Sequence, residues 1–137
     1  MRVVLDTNVV ISGFLWRGAP YHVLKAASNG AFESFVSLEL LDELEKALSY
    51  KKLLPLLKKS GFTPKQLCNV YETFAQIITP SISRSTIVAA DPSDDIVVLT
   101  AIGAQAAVII TGNAHLLDLK NYGDTSIATP SDFLRIL

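Results

Sequence analysis

The chain has 137 residues, half of them hydrophobic and 18% charged, with net charge −1 and mean hydropathy +0.37. This excludes intrinsic disorder, which needs low hydrophobicity with high net charge, and the bulk positive field of a strongly basic nucleic-acid binder. A single cysteine, Cys68, excludes a disulfide framework and a cysteine-rich metal site. The longest apolar runs are far short of a membrane span, and Met1-Arg2 with three apolar residues before Asp6 does not make a signal peptide. The expectation is one cytoplasmic domain over residues 1–137 with no membrane segment.

In chain order, Val3-Val4-Leu5 is short and β-branched on both faces, as a buried parallel strand is. Tyr21–Ser28 reads as a helix, with Pro20 near its start and Gly30 past its end. Ser34–Ser37 is a second predicted strand. Leu38–Ser49 follows as a helix whose stripe is Leu40, Leu41, Leu44, Ala47 and Leu48, with Ser37 as N-cap. Thr63-Pro64 opens a helix to Phe74, and Gln76–Thr79 is a third strand stopped by Pro80. Asp94–Gln105 is apolar on nearly every side and should be a buried helix. Strands at Ala107–Ile110 and Ser126–Ala128 and a closing helix at Ser131–Ile136, with Thr129-Pro130 before it, complete the chain. Strands separated by helices predict an α/β fold with helices on both faces of a parallel sheet.

The near-neutral total hides an uneven distribution. Residues 46–84 carry Lys46, Lys51, Lys52, Lys58, Lys59, Lys65 and Arg84 against Glu72 alone, a balance of +6 on a body of −7. Solvated helix faces account for such a run as readily as a phosphate-contacting flank does. If the flank binds RNA, Lys51, Lys52, Lys58 and Lys59 are its candidates.

Acids gather at four places. Asp6 follows the first strand directly, and ligands of open α/β sheets bind at the strands' carboxyl ends, although Asp is also a common N-cap. In the helix Leu38–Ser49, Glu39 and Asp42 lie opposite the apolar stripe, while Glu43 and Glu45 flank it on its two sides; the helical wheel does not choose between them. In Asp91-Pro92-Ser93-Asp94-Asp95, Asp91 and Asp94 suit a helix start, whereas Asp95 heads an apolar run and calls for a partner or a metal. Thr111-Gly112-Asn113 again follows a strand, as a site or as a loop and cap. Carboxylates meeting in one cleft repel unless a cation neutralises them, and an oxygen-only donor set suits Mg²⁺ or Mn²⁺.

The ordered set Leu5-Asp6-Thr7-Asn8-Val9, Ser37–Leu44, Asp91–Asp95 and Ile110-Thr111-Gly112-Asn113, with His115-Leu116 following, resembles the PIN-domain nucleases. The likeness is specifically to the toxin-like PIN proteins of bacteria and archaea, relatives of the VapC-type toxins, and it spans nearly the whole chain. It implies a PIN-like three-layer α/β/α fold with a five-stranded parallel sheet. It also implies hydrolysis of RNA by a metal-activated water at a Mg²⁺ or Mn²⁺ site. Carried over, Asp6, Glu43 and Asp95 are the acidic metal ligands and catalytic residues, and the choice falls on Glu43 rather than Glu45. Asn8, Asp94, Thr111 and Asn113 support them.

Where many relatives have Asp after Thr-Gly, this chain has Asn113, which offers a carbonyl oxygen but no charge. One firmly held ion and a weaker second are therefore expected. A cognate antitoxin and a homodimer or higher homo-oligomer are expected partners; Phe14, Leu15, Leu53, Leu54, Leu56 and Leu57 supply the apolar surplus for self-association. Two other functions fit the same acids: a non-catalytic PIN-fold module that binds RNA or protein, and a phosphohydrolase of small molecules.

Overall fold

The computed structural model describes residues 1–81 and 92–137, with side chains for all of these except 92–95. Its centre is a six-stranded sheet: β1 (Arg2–Leu5), β2 (Glu33–Val36), β3 (Ala75–Ile77), β4 (Val108–Ile110), β5 (Asn121–Tyr122) and β6 (Thr125–Ala128). The spatial order is β3-β2-β1-β4-β6-β5. The first five strands of that order run parallel, and β5 adds an antiparallel edge to β6. The five expected parallel strands are thus present. The sixth is two residues long, too short to leave a periodic signal.

The helices are α1 (Thr7–Leu15), α2 (Ala19–Ser28), α3 (Leu38–Leu48), α4 (Leu54–Ser60), α5 (Pro64–Glu72), α6 (Pro92–Ala104), α7 (Ala114–Leu117) and α8 (Pro130–Ile136). A 3-10 turn, Lys51–Leu53, leads into α4. Val3, Val4 and Leu5 alternate between the two faces of β1, yet none is more than 2% exposed, so helices cover both sides. The architecture is three-layered, α/β/α. Among the described residues no helix is long and apolar enough to cross a membrane.

Three helices, α1, α4 and the four-residue α7, have no counterpart in the sequence reading. In α1, Val9-Val10-Ile11 is β-branched and a poor advertisement for a helix. Burial overrides that preference, because Val9, Val10 and Ile11 all join the core. Gly13 lets α1 and α2 come together: a Cβ there would lie 2.4 Å from Leu24 Cδ1 and 2.9 Å from the Pro20 carbonyl oxygen. The α4 segment buries Leu57, and the turn before it buries Leu53. Of the leucines and phenylalanine set aside for self-association, most therefore pack into or against the core, and Leu54 alone is as much as 45% exposed.

Caps are placed as the sequence suggests. Ser37 Oγ accepts the Leu40 amide, Thr63 and Gln66 form a reciprocal capping box, and Thr129 Oγ1 accepts the Asp132 amide. The cap expected at Asp91 lies outside the described residues.

Candidate functional site

Parallel pairing brings the carboxyl ends of β1, β4 and β6 into register: Leu5 lies beside Ile110, and Ile110 beside Ala128. The backbone fastens the next residues too, since the Asp6 amide donates to the Ile110 carbonyl (2.9 Å) and the Thr111 amide to the Ala128 carbonyl (3.0 Å). Asp6 and Thr111 thus stand side by side on one edge of the sheet.

Asp6 is 6% exposed. It occupies the N-cap position of α1, but its carboxylate makes no cap bond to that helix. Instead Oδ2 accepts the Thr111 hydroxyl at 2.7 Å, a charge-assisted bond inside the fold. Thr111 is fully buried, and its hydroxyl oxygen in turn accepts the Asn113 amide at 3.0 Å. The Thr111 side chain is thereby held at both its donor and its acceptor, and it aims one Asp6 oxygen.

Glu43 and Glu45, which the wheel leaves equivalent, part company here. The Thr7 hydroxyl donates to Glu43 Oε2 at 3.1 Å, which brings this half-buried carboxylate against the residue next to Asp6. Glu45 faces the other way, 3.9 Å from Lys65 at the start of α5. Asp42 pairs with Lys46 at 3.1 Å on the solvent side.

Asp94 and Asp95 fall in the first turn of α6, and their side chains lie outside the described residues. The helix itself is anchored. Thr100 Oγ1 donates to the Ile96 carbonyl (2.7 Å), so its only proton is committed, and the Ser37 hydroxyl must donate to it across 2.9 Å. Ser37 and Thr100 are fully buried. This pair ties the N-terminus of α3, which carries Glu43, to α6, which carries Asp95. Ile96, the residue after Asp95, lines one cleft together with Glu39, Asp42, Glu43 and Tyr50.

Asn113 Oδ1 accepts the His115 amide at 2.9 Å and caps α7. Asn8 is exposed and lines two clefts, one with Trp16, Tyr50 and Lys52 and one with Gly112 and Ser131. Lys51, Lys52, Lys58 and Lys59 are all exposed, and of these four only Lys52 lines a cleft together with Asn8. His22 and His115 are exposed.

Among the described residues no three of His, Cys, Asp and Glu cluster closely enough to hold a metal ion. Asp6 and Glu43 are the described acids at this edge, with hydroxyls of Thr7 and Thr111 between and behind them. The donors are carboxylate and hydroxyl oxygens, the chemistry of a hard divalent cation, so the residues fit Mg²⁺ or Mn²⁺ with room in the set for an acid from α6. Thr7, Ser37 and Thr100 were not singled out from the sequence as site residues. Their only signal there is a hydroxyl beside a strand end or on an apolar helix, which many buried threonines share.

A three-layer α/β/α protein with acids gathered at the carboxyl edge of a parallel sheet is the class this arrangement defines. The sequence matches the PIN domain over residues 2–115, and the chain belongs to that family, whose members are in general nucleases. Among solved structures it is similar to a chain in the crystal structure of VapBC2 from Rickettsia felis bound to a DNA fragment from their promoter. The two share 17% identity at a TM-score of 0.60, over 93% of this chain and 97% of that one, which shows a common fold. Among curated proteins nothing matches the chain.

Proposed function

We propose that this protein is a divalent-metal-dependent endoribonuclease and the toxin half of a toxin–antitoxin pair. The observation that carries the reading is the buried Asp6 carboxylate. It stands at a helix N-cap without capping, aimed by Thr111, with Glu43 brought to its neighbour Thr7. Family membership gives this acidic edge its chemistry, and the fold shared with the VapBC2 chain supports an antitoxin as partner. In this reading the protein is cytoplasmic.

When bound, Mg²⁺ or Mn²⁺ supplies positive charge for the phosphodiester and lowers the pKa of water. The chain's own residues do the rest. Asp6, Glu43 and Asp95 hold the ion as catalytic ligands. Thr111 fixes the rotamer of Asp6, and Thr7 that of Glu43, so neither carboxylate has to reorganise during the reaction. Asn8, at the mouth, is placed to touch the substrate strand, and Asp94 supports its neighbour. Because the Asn113 carbonyl oxygen caps α7 and brings no charge, the reading favours one firmly held ion over two.

The test is cleavage of a fluorescent single-stranded RNA panel in Mn²⁺. Asp6→Asn, Glu43→Gln and Asp95→Asn should each lower cleavage by roughly 100-fold or more. Glu45→Gln, which removes an exposed ion pair, should stay within roughly twofold of wild type. Wild-type activity in Asp6→Asn or Asp95→Asn would remove the metal-site account. Calorimetry that finds no Mn²⁺ binding would point to a binding module, and turnover of a simple phosphate ester without RNA cleavage to a phosphohydrolase.

A further inference from the structure

Beside the acidic edge lies a cleft of about 430 Å³ between α1 and the Tyr50–Leu56 segment, within the range of about 300–1,000 Å³ typical of ligand pockets. Its floor is apolar, formed in part by Ile11 and Leu56. Its rim is not: Trp16 is 49% exposed, Tyr50 is 56% exposed, and Lys52 stands exposed next to them. Folding usually buries much of a tryptophan, and this chain has only the one.

The cleft adjoins the candidate site. Asn8, two residues after Asp6, forms part of its wall, and Tyr50 lines both this cleft and the one that contains Glu43. A strand whose phosphate rests at Asp6 and that leaves over Asn8 or Tyr50 enters the cleft that these residues line together with Trp16. Two exposed rings beside a cation are what a nucleotide uses: faces for the base, charge for its phosphate. The charge on the cleft's own lining has the right sign, since Lys52 is the charged residue among those that form it. Among the described residues no ion pair engages Lys51, Lys52, Lys58 or Lys59. An apolar protein helix fits less well, because it would cover Lys52, Asn8 and Ser12 without offering charge in return.

We propose that this cleft is a nucleobase subsite, in which Trp16 and Tyr50 stack an unpaired base of the RNA strand next to the phosphate held at the acidic edge, with Lys52 on the adjoining phosphate. The identity of the strand rests on the ribonuclease reading. The subsite makes single-strandedness a requirement, since a base inside a duplex presents no free face to stack.

Trp16 reports on the proposal by itself. In EDTA, the full-length protein is titrated with a single-stranded oligoribonucleotide, the same oligomer annealed to its complement, and an abasic ribose-phosphate oligomer. Trp16 emission should be quenched saturably by the first and not by the other two. Trp16→Ala should weaken filter binding of the single strand by about 5- to 140-fold, the range for one stacked base. Trp16→Phe should restore most of the affinity, and Tyr50→Ala should weaken it independently. Emission that ignores bound single-stranded RNA, or equal quenching by the abasic oligomer, would overturn the proposal. So would an emission shift driven by protein concentration alone, which would assign the cleft to a second copy of the chain. Mn²⁺-dependent cleavage without quenching sinks the subsite and leaves the ribonuclease reading; quenching without cleavage in any divalent ion does the reverse.

Discussion

Thr111 is the residue through which the geometry of Asp6 is most directly testable. Thr111→Val keeps the side-chain shape and removes one oxygen. That oxygen donates to a buried carboxylate at 2.7 Å and accepts a backbone amide at 3.0 Å. A hydrogen bond to a charged group contributes about 1.5–3 kcal/mol, and an amide left without its acceptor costs about 1 kcal/mol more. The expected loss is about 3 kcal/mol. Thr111→Ser keeps both hydrogen bonds and deletes one buried methyl, for about 1 kcal/mol. For a chain of this size these losses correspond to Tm decreases of about 10 °C and about 3 °C. Urea unfolding and calorimetry in EDTA read the difference without a contribution from bound cation. A valine variant as stable as the serine variant would refute the reasoning, because the hydroxyl would then not be serving Asp6.

Two further predictions concern the frame around the site. Gly13→Ala places a methyl against Leu24 and the Pro20 carbonyl, so it should cost about 1–3 kcal/mol in urea unfolding despite the better helix propensity of alanine; a stabilised variant would contradict the close α1–α2 approach. Burial pushes the Cys68 thiol from 9.0 up to about 11, with Glu45 adding to it, and burial pushes the Tyr71 phenol from 10.0 to about 12. In both cases the folded state favours the neutral form. Their contribution to stability is therefore complete below pH 9 and is lost as pH rises from about 9 to 12. Cys68→Ala should flatten the part of that fall between about pH 9 and 11, and wild-type and variant curves that coincide there would oppose the assignment.

Much of the frame is legible in the sequence because it rests on local signals. Val3–Leu5 and Val108–Ile110 announce buried strands by β-branched runs, and Thr63-Pro64 and Thr129-Pro130 announce helix starts by cap chemistry. What escapes is set by distance along the chain or by shortness. The helix α1 is hidden in Val9-Val10-Ile11, whose preference for strand yields only to the tertiary core. The strand β5 and the four-residue α7 are too short to show a period.

At the site the same division holds. Asp6 stands out because it follows a strand, but whether it caps or is held elsewhere depends on Thr111, 105 residues away. The sides of the apolar stripe on which Glu43 and Glu45 lie are equivalent on a wheel; Thr7 and Lys65, from other elements, separate the two. Ser37 and Thr100 meet across 63 residues with no pattern to signal it.

The account stands on acids from β1's end, from α3 and from the first turn of α6 sharing one divalent ion. A crystal soaked in MnCl₂, with anomalous scattering recorded at the manganese edge, locates that ion directly. The account predicts one strong peak bound by Asp6, with Glu43 and Asp95 supplying oxygens to the same ion or its waters. No peak at this edge of the sheet, or a manganese ion there with the Asp95 carboxylate turned to another part of the surface, would contradict it.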